Sequence, residues 1–387
     1  MIQRTLLATA AAFALIPLAA AAAERPVTEA ELATHIDILA SDAFQGRAPG
    51  TDGEMRTIAY VTAEWARAGL VPVPGSATPW LQPVPLVERT PTSTKAAFQR
   101  DGRTITLEDD SVLLVSRTPL SQVADAPMVF VGHGVDGAGK VVADVRGKVA
   151  VMLFDNVPFG GPPVRQSERR RLLGEAGAAA VLIVAGDAIP WNTLKSAVAG
   201  PTMALASNAG SGTPLGGFIA QAAFDTLATR GGHKADAMSE AAKSPDFVPV
   251  NLNVTADLTV TTNVRAFESH NILAKLPGAK PDGKAIVIMG HWDHLGLCRP
   301  EGAADRICNG AVDNASGIAV MIEVAKRLAS GPRPDRDIYF LATTAEERGL
   351  LGAYHFAANP VVPLTDITVH LRIDTIAIGP PHTPVAN

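Results

Sequence analysis

The fold is decided by residues 285–374. This stretch contains AIVIMGHWDHLG (285–296), NGAVDNASGIAVMIEVAKRL (309–328), DIYFLATTAEERGLLGAYHF (337–356) and ITVHLRID (367–374). Each piece is a short apolar run that leads to, or follows, a metal-binding or acid–base residue. One such ending means little. Four in succession, with strand and helix patterns alternating between them, predict an active site at the carboxyl ends of the strands of an α/β sheet.

Each piece has its own chemistry. His291 and Asp293 stand two apart at a strand end, so an extended chain puts them on the same side. A metal-binding His commonly gives its second N–H to such a carboxylate. Asp313 follows the glycine-containing turn NGAV and opens a helix whose apolar stripe is Ile318, Met321 or Ile322, Ala325 and Leu328. Asp at a helix start is most often a cap, yet a short carboxylate there can also bridge two cations. Glu346 and Glu347 follow the strand at 338–341. Adjacent strand residues face opposite ways, so both meet one site only from the turn that leaves the strand. One could then ligate a metal while the other takes a proton from bound water, although a solvated pair at a helix start is the plainer alternative. Asp374 ends the last strand-like run. His294, His355 and His370 are further imidazoles; His355 reads as helical, His370 as mid-strand, and both as structural.

Working outward, 387 residues suffice for two domains and a sizeable core. With 47% hydrophobic and 18% charged residues the chain is globular. A net charge of −5 without a basic run argues against a nucleic-acid partner. Residues 1–23 carry Arg4, an apolar Ala-rich core and Ala21-Ala22-Ala23, the pattern of a secretory signal peptide; its core is short for a membrane anchor. No later segment is long and apolar enough to cross a bilayer, so the expectation is a soluble protein without stable membrane association, secreted or periplasmic. Cys298 and Cys308 can pair in such a compartment and pin the loop between His291 and Asp313, the alternative being two free thiols.

Along the chain, Thr28 and Glu31 fit a capping box, with Leu32, Ile36 and Leu39 as the apolar stripe. The loop SDAFQGRAPGTDGE (41–54) precedes a helix from Asp52 to Gly69 carrying Ile58, Val61 and Trp65. Strand-like runs follow at 81–87 and 104–114. Composition shifts near Ser121, and 121–263 reads as an inserted domain of small-residue strands with a helix at SERRRLLGEAGA. This divides the chain into 1–23, 24–120, 121–263 and 264–387. Within the insert, residues 132–137 match G-x-G-x-x-G, but β patterns follow where a helix is required. Residues 134–140 match G-x-x-x-x-G-K, but Val141 stands where Ser or Thr must be. Both are read as glycine-rich loops. No G-x-S-x-G is present, which disfavours a serine hydrolase.

GHWDHLG, NGAVDNASG, ATTAEERGLLG and RID, in this order, together with GRAPGTDGE, resemble the M28 family of zinc aminopeptidases. VRGKVAVMLF and GAAAVLIV in the insert resemble a protease-associated (PA) domain. The resemblance implies a zinc-exopeptidase-like fold, a mixed and mostly parallel sheet flanked by helices, with a β-rich PA insert. It implies two zinc ions and peptide substrates. His291 and Asp374 would ligate one zinc, Asp313 would bridge both, and Glu347 would ligate the second. Glu346 would be the general base that activates the bridging water, and Asp293 would orient His291. Two features depart from the family. Its second metal takes a His well downstream, whereas only 13 residues follow Asp374 here, and His382 among them has no matching context. Leu371-Arg372-Ile373 also replaces the usual Asn two residues before Asp374. The expectation is therefore a C-terminally truncated member. The leading function is a secreted di-zinc aminopeptidase. A zinc carboxypeptidase or amide hydrolase would need a basic pocket, for which Arg299, Arg306 and Arg372 are candidates. A non-catalytic binding protein lacking the last ligand is the third reading.

Overall fold

The computed structural model describes residues 26–73, 78–186, 189–208 and 212–376. The signal-peptide reading and His382 fall outside these residues.

The α/β class and the mixed sheet flanked by helices are as expected. Thirteen strands form one sheet among the described residues. Its principal path runs Ile367–Arg372, Ala285–His291, Asp337–Thr343, Val250–Leu276, Leu120–Phe130, Val149–Leu153, Ala180–Ala185, Leu215–Ala220 and Val112–Ser116. Two parallel blocks sit at either end of this path. Ala285–His291 pairs in parallel with both Asp337–Thr343 and Ile367–Arg372. Leu120–Phe130, Val149–Leu153, Ala180–Ala185 and Leu215–Ala220 form the second block. The 27-residue strand Val250–Leu276 joins them, antiparallel to Leu120–Phe130 between Val250 and Thr261 and to Asp337–Thr343 between Ile272 and Leu276. Leu81–Arg100 runs antiparallel beside it from Thr255 to Ile272.

Two large cores result. One packs Trp65, Ile272, Trp292, Ile318, Met321 and Phe340 under the first parallel block. It is covered by the helices Glu29–Leu39, Asp52–Arg67 and Gly317–Ser330, and the Thr28–Glu31 capping box forms as read. Burial of Ile318, Met321, Ile322 and Ala325 accounts for the orientation of the last helix. The second core packs Phe130, Leu182, Phe224 and Leu252 together with Phe98, Ile105 and Leu114. These last three lie before Ser121, so the composition shift does not mark the edge of a separate core. The Leu81–Arg100 strand crosses from one core to the other, and an edge falling inside a continuous strand leaves no loop signal. The insert region also carries the helices Trp191–Ala199, Gln221–Arg230 and Ala235–Ala241 beside Gln166–Glu175. No described helix is long and apolar enough to cross a membrane.

The N-terminal loop is tied to the first core through Glu54, which is buried. Its carboxylate accepts from the Gly50 N–H at 2.5 Å and lies 3.1 Å from His270 Nδ1. The Glu54 hydrogen bond raises the His270 pKa against the opposing effect of burial, with Glu268 adding to the rise. A pKa raised on folding stabilises the protein fully below the unfolded value of about 6.5 and ceases to do so as pH rises through the folded value. We therefore expect His270→Gln to destabilise more at pH 5.5 than at pH 8.5 in urea unfolding, by less than about 1 kcal/mol because the histidine is still partly open to solvent. Equal penalties at the two pH values would discard the assignment.

Candidate metal centre

Parallel pairing brings three strand ends to one place. His291 is in register with Thr343, and Met289 with Arg372. Glu346, Glu347 and Asp374 therefore emerge beside His291. The strand period puts Trp292 on the core side, fully buried, between His291 and Asp293. Its indole N–H donates to the His270 carbonyl at 2.9 Å.

His291 is buried, with Nε2 3.1 Å from Asp313 Oδ1 and 3.3 Å from Asp374 Oδ1. Its Nδ1 lies 3.1 Å from the Asp293 backbone carbonyl and 3.7 Å from the Asp293 carboxylate. That carboxylate, fully buried, accepts the backbone N–H of Glu346 at 3.0 Å and of Glu347 at 3.4 Å. Asp293 thus holds the two glutamates in the turn leaving Asp337–Thr343, and both face the site.

The structure corrects the reading of Asp313 as a helix start. The helix begins at Gly317, and Asp313 and Asn314 sit in an irregular turn with φ of −108° and −128°. Asn314, fully buried, explains the turn. Its Nδ2 donates to the carbonyls of His291 at 3.2 Å and Ile373 at 3.1 Å, and its Oδ1 accepts from the Gly317 N–H at 3.1 Å. One side chain thereby links two strand ends to the helix and leaves Asp313 projecting between them.

Two sets of donors converge, each with ligating atoms within 4.8 Å of one another: His291, Asp313 and Asp374, and His294, Asp313 and Glu347. Asp313 belongs to both. His294 Nδ1 lies 2.5 Å from Glu347 Oε1. Sequence reasoning named His294 only as a further imidazole; its place in HWDH, three residues after His291, was the available signal. Glu346 belongs to neither set. Arg372 donates from Nη2 to Glu346 Oε1 at 2.9 Å and to Asp374 Oδ2 at 2.5 Å.

The electrostatics are those of an acidic cluster that favours a cation. Burial by itself would lower the His291 pKa, but the carboxylates of Asp293, Glu346 and Asp374 outweigh it and raise it to about 9. Burial pushes the Glu346 carboxyl above the ordinary range, with Asp374 and Asp293 opposing the charges of His291 and Arg372. The His294 hydrogen bond holds Glu347 below it against burial. Burial raises Asp374, but hydrogen bonds and charge from Thr375, His291 and Arg372 bring it below. Two imidazole nitrogens with three carboxylates, one of them shared, are a donor set suited to a pair of zinc ions.

Behind the site lies Arg47, 1% exposed. It donates to the carbonyls of Trp292 at 2.9 Å, Leu39 at 2.7 Å, Asn309 at 2.6 Å and Gly310 at 2.8 Å. Burial lowers its pKa to about 10, and Asp293, Asp313 and Glu347 oppose that. The Cys298–Cys308 bridge closes the intervening hairpin, Cα to Cα 5.8 Å, so the pairing alternative is the one realised.

A parallel strand block with carboxylates and imidazoles gathered at its carboxyl ends is an α/β arrangement able to hold metal ions. Residues 271–386 match the profile of Peptidase family M28. Among curated proteins the chain is 26% identical over 236 residues to a probable leucine aminopeptidase 2 of Aspergillus oryzae, covering 61% of this chain and 38% of that one. It is 39% identical over 94 residues to the alkaline phosphatase isozyme conversion protein of Escherichia coli, covering 22% and 26%. It is 31% identical over 113 residues to a vacuolar membrane protease of Candida glabrata, covering 29% and 11%. The chain thus spans between about a tenth and two fifths of these relatives. The fold resembles that of an aminopeptidase from Aneurinibacillus sp. strain AM-1, with a TM-score of 0.53 at 20% identity over 89% of this chain and 70% of that one.

Proposed function

We propose that this protein is a secreted or periplasmic di-zinc aminopeptidase that removes N-terminal residues from peptides. The observation that carries the reading is Asp313, shared by two donor sets, with Glu346 beside both and in neither. His291 and Asp374 would hold one ion, His294 and Glu347 the other, and Asp313 both. Bound there, zinc would supply Lewis acidity to a peptide carbonyl and to water. The chain's own residues do the rest. Glu346, with its pKa raised by burial, takes the proton of the attacking water and delivers one to the leaving amine. Asp293 holds the Glu346–Glu347 turn through two N–H bonds, and Arg372 restrains Glu346 against Asp374. The signal-peptide pattern supports export. The PA-like reading of residues 121–263, which supply most of the second core, is part of the same proposal.

The test of the second site is metal content. His294→Ala should reduce zinc from two per chain to about one, measured by plasma emission spectrometry on dialysed protein. Two zinc ions retained in the variant would remove His294 from the ligand set and leave the first site intact.

Arg372 favours a second reading. Of the three candidate arginines it is the one that touches site carboxylates, whereas Arg299 pairs with Asp305 at 2.8 Å. A guanidinium at this position suits a substrate carboxylate, as a carboxypeptidase requires. Hydrolysis of an aminoacyl anilide but not an N-blocked dipeptide supports the aminopeptidase; the reverse supports the carboxypeptidase.

A further inference from the structure

A second crevice lies away from the metal centre, at the carboxyl ends of the other parallel block. It is lined by His133, Asp155, Gly186, Gln221 and Lys243, with Leu153, Phe154 and Val184 as its apolar wall. All of these except Lys243, which follows the helix Ala235–Ala241, end or follow the four parallel strands, where ligands of parallel sheets characteristically bind. The volume is about 150 Å³, which is too small for a peptide or a nucleotide.

Of the polar groups, His133 is built into the site, while Asp155, Gln221 and Lys243 line it from exposed positions. His133 is 4% exposed, and its Nδ1 has no hydrogen-bond partner, although the ring approaches the Ala242 carbonyl. Burial and the Arg169 charge lower its pKa against Asp155, so near neutral pH the ring is uncharged. Arg169, fully buried, supports the strand ends by donating to the carbonyls of His133 at 3.1 Å, Leu153 at 3.2 Å and Phe154 at 2.7 Å. The Asp155 carboxylate reaches across to Gly186, where a β-carbon would stand 3.9 Å from Oδ1. Gln221 opens the ten-residue helix Gln221–Arg230, so unpaired N–H groups and the positive end of the helix face the same end of the sheet.

We propose that this crevice binds a free α-amino acid. The Asp155 carboxylate and His133 Nδ1 are two acceptors suited to an ammonium. The helix start at Gln221 and the Lys243 ammonium suit a carboxylate. Leu153, Phe154 and Val184 suit a small apolar side chain. Inorganic phosphate would leave Asp155 and the apolar wall without a partner, and a metal ion would find only one imidazole and one carboxylate. The site stands independently of the peptidase reading.

Isothermal titration of the full chain with L-leucine, inorganic phosphate and zinc tests it. Asp313→Asn is titrated in parallel to remove amino-acid binding at the metal centre. Leucine should bind the wild type and Asp313→Asn alike at this site. Asp155→Asn should weaken that binding by at least about tenfold, the scale of a charged hydrogen bond. Gly186→Leu, which fills the crevice without removing a polar group, should abolish it, with circular dichroism confirming that both variants fold. Leucine binding that vanishes in Asp313→Asn, survives both crevice variants, or is replaced by binding of phosphate or zinc alone would overturn the proposal.

Discussion

Glu346→Gln should lower kcat on an aminoacyl anilide by about 10²–10⁴-fold if the proposed general-base role holds, while zinc content and the unfolding transition should stay at wild-type values. The separation follows from geometry. Glu346 is in neither donor set, so its replacement leaves every proposed metal ligand in place. Glutamine keeps the size of the side chain and can still accept from Arg372 through its carbonyl oxygen. The turn is held by the backbone N–H of Glu346 donating to Asp293, which the substitution does not touch. Only the ability to take and return a proton is lost. Steady-state kinetics with metal analysis of the same sample decides the matter: a variant within about tenfold of wild type excludes Glu346 as the base. A variant that has lost its zinc assigns Glu346 to the ligands instead.

Arg47→Met should cost about 3 kcal/mol or more in urea unfolding and lower zinc content at the same time. The guanidinium makes four hydrogen bonds to backbone carbonyls on three separate segments of the chain. Methionine matches the length of the aliphatic stem and donates none of them, leaving buried acceptors without partners, each worth about 1–3 kcal/mol. Two of those carbonyls, on Asn309 and Gly310, belong to the turn that presents Asp313. A third, on Trp292, lies between His291 and Asp293. The loss therefore reaches the metal centre through the backbone. Arg47→Lys should restore little, since a single ammonium cannot replace a planar fork that spans three directions. Wild-type zinc content in a destabilised Arg47→Met would confine Arg47 to the fold and detach it from the site.

The parts of the molecule that could be read from the chain share a physical character. The strand at 285–291 and the helix stripe at Ile318, Met321, Ile322 and Ala325 follow from hydrophobic period. The Thr28–Glu31 box follows from local capping chemistry. The turn after Asp337–Thr343 follows from the requirement that two adjacent glutamates face one way. The start of the helix after Asp313 was misplaced for an equally local reason: an Asp before an apolar stripe is the usual cap, and here the distant carbonyls of His291 and Ile373 hold Asn314 and move the helix start to Gly317. The second core was cut too late because Leu81–Arg100 passes through both cores without a break.

By itself, then, the sequence determined the strand ends, their order and the residue types placed on them, because periodicity and capping act within a few residues. Only the tertiary structure decided which donors meet. His294 finds Glu347 across 53 positions, and Arg47 finds Asn309 across 262. Parallel pairing of non-consecutive strands sets those encounters, and no local pattern in the chain encodes the partner.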